Sequence, residues 1–286
     1  MIVRYQTQTV GDVEVFYREA GSKGAPTLLL LHGYPTSSHM FRDLIPRLED
    51  HFHLIAPDLP GFGQTKAPPR ERFDYTFDNL AGVVERFTQA LGLSRYAIYV
   101  FDYGAPTGFR LASAHPERIT AIVSQNGNAY EEGLGPMWAL FQRYWSDPTK
   151  ENREACRETL TPQATRSQYT IGSEATLLPP DGYELDIAYL GRPGKDEIQL
   201  DLIYDYRTNI PAYSVWQTYF RKKRPPILAI WGRNDPFFLP AGAEAFKRDQ
   251  PAAEVSFVNA GHFALETRAD EIAHRIIDFF RCLSAI

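Results

Sequence analysis

Asp102 is the residue on which the chemistry of this chain can be built. It ends a short apolar run, Ala97 to Phe101, whose length and β-branched content read as a buried strand. Tyr103 and Gly104 follow, and then a stretch from Ala105 to Ala114 that reads as a helix with Pro106 in its first turn. A strand that passes into a helix across one residue needs a sharp corner, and the side chain at that corner stands clear at the end of the sheet. A carboxylate held there, above a helix N-terminus, stays ionised and accessible. It needs no base to become a nucleophile. Displacement at a saturated carbon would give an alkyl ester that water can cleave, whereas a serine would leave an inert ether.

The elements around that corner follow from the hydrophobic pattern. Residues 2–9 and 13–18 alternate across Val10-Gly11-Asp12 and read as an antiparallel hairpin. Thr27 to Leu31 is a continuous apolar strand of the kind buried on both faces. Phe41 to Leu48 reads as a short helix and His53 to Ala56 as the next strand. Leu80, Val83, Val84, Phe87 and Leu91 recur at helical spacing, with Gly92 closing that helix. After the Asp102 strand and its helix, Ile119 to Val123 reads as another strand. This alternation predicts a mostly parallel sheet covered on both faces. It stops near Gly127, gives way to a helical, aromatic stretch with a Pro/Gly-rich section from Gly172 to Gly194, and resumes at Pro226 to Trp231. A helix over Ala241 to Arg248, a strand over Val255 to Val258 and a helix over Ile272 to Phe280 complete the chain. The expected organisation is one α/β core, residues 1–127 and 223–286, with a helical cap of residues 128–222 inserted after the sixth strand.

The totals are compatible with this. The 286 residues are 44% hydrophobic and 13% aromatic, ample for a large core, and the formal net charge of -5 argues against a nucleic-acid binder. The basic cluster Arg221-Lys-Lys-Arg224 reads as a solvated connector. Cys156 and Cys282 form no disulfide framework, and His39, His51, His53, His115 and His274 carry no metal-ligand spacing. The first residues lack a signal-peptide layout and no run is long enough to span a bilayer, so a cytoplasmic protein acting away from membranes is expected.

The sequence resembles the α/β-hydrolase fold over nearly its whole length. The matching stretches are His32-Gly33-Tyr34-Pro35, Asp58 to Gly63, Phe101-Asp102-Tyr103-Gly104, Trp231 to Pro236 and Ala260-Gly261-His262-Phe263, in this order and each at the end of an expected strand. The order nucleophile, acid, histidine is the one this fold uses. Most members place serine at the corner. The aspartate here, Val100 two residues before it and the opening His-Gly-Tyr-Pro-Thr-Ser-Ser with Phe41-Arg42 look like the branch of haloalkane dehalogenases and epoxide hydrolases.

The resemblance implies that His262 takes a proton from the water that cleaves the ester, and that Asp235 holds the imidazole and stabilises its charged form. The backbone N–H groups of Tyr34 and Tyr103 fall where this fold builds its oxyanion hole. In some relatives the acid follows the sixth strand, but Gln125-Asn126-Gly127-Asn128 has no carboxylate there, which favours Asp235. Asp58 and His32 are expected to be structural.

The inserted helices should lie over Asp102 and decide the leaving group. Tyr204-Asp-Tyr-Arg-Thr-Asn209 resembles the setting of the epoxide hydrolase lid tyrosine that protonates the opening ring oxygen, and the match is Tyr206. Tyr144 is the candidate second tyrosine, with Trp138 and Trp145 along the same helical stripe. Haloalkane dehalogenases hold the halide with a side-chain amide after His-Gly and a tryptophan after the nucleophile; here Tyr34 and Tyr103 stand at those positions. Fluoroacetate dehalogenases use arginines beside the nucleophile, where this chain has Tyr103 and Pro106, with Arg110 nearby. The expectation is therefore hydrolysis of a small organic epoxide to a diol with water as co-substrate and no cofactor or metal. Haloalkane or haloacid dehalogenation is the alternative, and a non-catalytic receptor or an esterase are other readings.

Overall fold

The computed structural model describes residues 2–284; Met1, Ala285 and Ile286, the outermost residues of the expected core, lie outside the described residues. Eight strands, β1 (Arg4–Val10), β2 (Val13–Ala20), β3 (Thr27–Leu31), β4 (His53–Pro57), β5 (Tyr96–Phe101), β6 (Ile119–Gln125), β7 (Ile227–Gly232) and β8 (Glu254–Val258), form one sheet in the order β1-β2-β4-β3-β5-β6-β7-β8. The β1–β2 hairpin and the β2–β4 pair are antiparallel. All other pairs are parallel.

The apolar runs give this sheet its two faces through the period-two alternation of a strand. Leu29, Leu31, Ile98 and Val100 point to one side and pack with Phe77, Leu80, Val84 and Phe109 from two helices, Phe77–Ala90 and Gly104–Ala114. Leu28, Leu30, Tyr99 and Phe101 point to the other and pack with Phe41, Leu48, Ile272 and Ile276. The helix predicted from Leu80, Val83, Val84 and Phe87 buries all four of those residues; Thr76 caps its start and Gly92 lies just beyond its end at φ +70°.

Two segments differ from the sequence reading. The short helix expected at Phe41 to Leu48 is split into a 3₁₀ turn, Ser38–Phe41, and a helical turn, Ile45–Leu48, with Pro46 at its start. The last helix runs Leu265–Ser284, beginning seven residues early and kinked at Arg268, where φ is -133°. Glu266, Thr267 and Arg268 follow Leu265 in its first turn, so apolar spacing does not reveal it.

Between β6 and β7 the chain forms a helical insertion, with helices at Ala139–Ser146, Lys150–Cys156, Pro162–Thr170, Pro180–Leu190, Lys195–Asp205 and Asn209–Lys223. It sits over the core through a face-to-face stack of Tyr169 on Phe263, centroids 3.8 Å apart, and through Arg42, which bonds Glu266 of the core and Asp181 of the insertion. Among the described residues no helix is long and apolar enough to cross a membrane. Arg221 of the basic cluster pairs with Asp249.

Candidate active site

The parallel strands deliver their following loops to one edge of the sheet, as parallel sheets do at their carboxyl ends. Asp102 follows β5 and sits at φ +46°, a left-handed conformation that a non-glycine residue adopts only under constraint. Two glycines permit it. A Cβ on Gly104 would lie 2.2 Å from the carbonyl oxygen of Leu31, and one on Gly33 would lie 2.3 Å from Oδ1 of Asp102. The expected corner is therefore built by close backbone approach on both sides.

The carboxylate is buried and held by backbone donors. The Tyr34 N–H donates to Oδ1 at 2.5 Å, and the Tyr103 N–H also bonds the carboxyl group. Burial raises the Asp102 pKa to about 6, while His262 and these two N–H groups oppose that shift. Near neutral pH the group is thus largely ionised, in a place where charge is poorly screened.

His262 follows β8, buried among Phe101, Phe237 and Phe238. Its Nδ1 lies 2.8 Å from Oδ2 of Asp235, so that N–H donates to the carboxylate and the Nε2 lone pair is left facing Asp102, whose Oδ2 is 3.9 Å away. Burial lowers the imidazole's affinity for a proton, but the charge and hydrogen bond of Asp235, with Asp102 behind, outweigh it and leave the pKa raised. Asp235 lies in the loop after β7. Its Oδ1 accepts from the Phe237 N–H at 2.8 Å and its Oδ2 from Nδ2 of Asn126 at 2.5 Å.

The expected structural residues behave as such. Asp58 accepts the N–H groups of Ser38 and Gln64, and Nε2 of His32 accepts the Leu59 N–H.

Asp102 and His262 open into a cavity of about 380 Å³ beneath the inserted helices, with Tyr34 and Tyr103 on its wall. Its apolar side includes Trp138, Phe141, Ile203 and Phe237; Thr159, Ser167 and Gln168 supply a polar side. A wider groove of about 550 Å³ on the seam between insertion and core contains none of the triad, and Arg70 there is paired with Asp201.

Of the residues expected to meet substrate, Trp138 lines the cavity, and its indole N–H donates to the Phe237 carbonyl at 2.8 Å. Trp145, Tyr144 and Tyr206 are outside that lining. Trp145 stacks on Tyr206 and donates its N–H to the Ile203 carbonyl at 2.7 Å. Tyr144 belongs to a small cluster with Cys156, Leu200 and Ile203. Tyr206 packs against Trp138 and Tyr103, both on the cavity wall, and its hydroxyl is 3.5 Å from that of Tyr213. Arg110 bonds Asp78, Asn209 and Thr208, away from the cavity lining.

The sequence reading missed Asn126, considered only for the carboxylate it lacks. It too has a positive φ, +49°, and Asn after a strand is one of the residues that tolerates that conformation. It missed Thr159, Ser167 and Gln168 as well, which no local signal marks.

Comparison with known proteins agrees with this architecture. Residues 26–269 match the family model described as alpha/beta hydrolase fold, so the chain belongs to the α/β-hydrolase family. It is 46% identical over 287 residues to an uncharacterized hydrolase of Saccharomyces cerevisiae, covering 98% of both chains. It is 30% identical to haloalkane dehalogenase 2 of Mycobacterium bovis, covering 93% of this chain and 91% of that one. A Pseudomonas aeruginosa protein provisionally named an epoxide hydrolase superposes with a TM-score of 0.79 at 21% identity, over 98% of this chain and 96% of the other, a likeness of fold. The homologues place the chain in the aspartate-nucleophile branch, as a hydrolase.

Proposed function

We propose that the chain hydrolyses a small organic epoxide to a diol through a covalent ester on Asp102. The observation that carries the reading is the carboxylate itself: one oxygen held by the Tyr34 N–H, the other turned toward an imidazole that Asp235 orients. Oδ2 attacks a ring carbon, the carbon–oxygen bond breaks, and its electron pair goes to the ring oxygen, which takes a proton. Nε2 of His262 then removes a proton from water as that water adds to the carboxyl carbon. Negative charge gathers on Oδ1, where the N–H groups of Tyr34 and Tyr103 receive it. Collapse releases the diol, which takes the proton from His262, and leaves one oxygen of the water in Asp102; the second proton of that water leaves the carboxyl group and restores the phenol that protonated the ring oxygen.

The first proton is assigned to Tyr206. Its hydroxyl partner is another phenol, Tyr213, which can resupply a proton, whereas the Tyr34 hydroxyl donates to the Thr159 carbonyl at 3.0 Å. Tyr206 lies behind Trp138 and Tyr103, so one of those rings must give way for it to reach the ring oxygen.

Carbon–halogen hydrolysis is the second reading, favoured by the relatives named haloalkane dehalogenase. A departing halide needs N–H or O–H donors, and on the cavity wall the Trp138 indole and the Tyr34 hydroxyl are both engaged by backbone carbonyls. This supports the epoxide. The test is mass spectrometry of His262→Gln after incubation with epoxides, haloalkanes and haloacids. An epoxide adds its whole mass to the peptide bearing Asp102, a halide adds the alkyl group without halogen, and no adduct defeats both readings.

A further inference from the structure

The cavity wall constrains what the reacting carbon can be attached to. No lysine or arginine is among the described residues that line it; the formal charges there are those of Asp102 and of Glu158, which is exposed. Asp102 is buried, so its field is weakly screened and a second anion beside it meets strong repulsion, which His262, the other ionisable group at that end of the cavity, offsets only while it holds a proton. Two further lining residues, Met137 and Ile171, are 49% and 44% exposed although they also face the cavity, an apolar lip where polar residues are the rule. At about 380 Å³ the cavity is at the small end for a ligand site, so a longer molecule must extend past that lip.

We propose that the site takes an uncharged molecule with an apolar tail, its reacting carbon at Asp102 and its tail lying against Met137 and Ile171. The inference rests on Asp102 being the reacting group, and it names the substrate class for that site: a terminal alkyl chain is admitted and a carboxylate next to the reacting carbon is refused. The Trp138, Phe141 and Ile203 side chains continue the same apolar surface inward from the lip.

Binding of product-like molecules tests this separately from turnover. Calorimetry at pH 8 on the wild-type protein would use 1,2-alkanediols of four to ten carbons and the 2-hydroxyalkanoates of equal length. Diol affinity should climb about two- to fourfold per methylene, the upper figure corresponding to the ~0.8 kcal/mol of a fully buried methylene. Hydroxy acids of equal length should bind at least about tenfold more weakly, and Asp102→Asn should close most of that gap. Met137→Ser with Ile171→Ser should flatten the climb for the longer diols, with circular dichroism checking that each variant folds. Equal binding of hydroxy acids by the wild type, or affinity indifferent to chain length, overturns the proposal without any variant. A climb that survives both lip substitutions overturns the placement of the tail. If this binding pattern holds and no epoxide is turned over, the reaction assigned above fails and the substrate class stands.

Discussion

Nε2 of His262 stands 3.9 Å from Oδ2 of Asp102, outside hydrogen-bonding range and inside the range at which charge acts. A serine nucleophile would need its histidine in contact to remove a proton. A carboxylate needs no such help, and the gap leaves the imidazole for water in the second half of the reaction. His262→Gln should therefore lower steady-state turnover by roughly 10²–10⁴ while the first displacement persists. Rapid-quench kinetics should show a burst that consumes at most one substrate equivalent per enzyme chain without releasing diol, with the ester intact in the mass of the protein.

The two half-reactions should titrate differently. Burial favours the neutral form of Asp102, so lowering the pH through about 6 removes the nucleophile, and the single-turnover rate of ester formation should fall with a midpoint near that value. Once the ester forms, Asp102 carries no charge. One of the two carboxylates that raise the His262 pKa is then gone, while Asp235 remains. His262 should hold its proton less tightly in the ester than in the free enzyme. Asp102→Asn is the neutral isostere, and NMR titration should find a lower His262 pKa in it than in the wild type.

The parts of the site that lie within one strand and its following turn were legible in the sequence. Asp102 announced itself through an apolar run, a one-residue corner and a helix start, and His262 through the same logic at β8. Contacts between distant segments were not. Glu266 is 224 positions from Arg42, and polar residues in an unexpected helical turn carry no signal of a partner. The cavity wall was legible only as composition: Trp138, Tyr144 and Trp145 are close in sequence, yet one faces the cavity and two pack into the insertion, because tertiary packing decides which way each ring turns.

Asn126 should act as a positioning residue. Its Nδ2 donates to the same Asp235 oxygen that accepts from His262, and its Oδ1 accepts the Gly232 N–H at 3.0 Å. Asn126→Gly keeps the left-handed backbone free of strain and removes the clamp. With one donor fewer, Asp235 becomes a stronger acceptor for the imidazole, so the His262 pKa should rise and the acid limb of ester hydrolysis should move to higher pH. A merely structural role would lower the melting temperature and leave that limb where it was.

Arg42 sets the last prediction, because it serves two carboxylates on different layers. Its guanidinium bonds both oxygens of Glu266, at 3.0 and 2.6 Å, and its Nε lies 2.9 Å from Asp181 of the inserted helices. Glu266 is buried. Burial raises its pKa, and Arg42 opposes the shift. Arg42→Met would leave that carboxyl without its cation, a change that costs about 3–5 kcal/mol for a buried pair and should lower Tm by roughly 5–8 °C in a chain of this size. The double variant Arg42→Met with Glu266→Met removes the stranded charge and should recover most of the loss. The sign of the pH dependence follows from the raised pKa. Glu266 is neutral in the folded variant at low pH and must carry an unpaired charge as pH rises through its folded pKa, so the deficit of Arg42→Met should be largest at pH 8 and shrink toward pH 5. Thermal denaturation of the three proteins at both pH values measures it. A deficit that the second substitution does not repair would assign the role of Arg42 to its bond with Asp181, that is, to holding the inserted helices over the cavity.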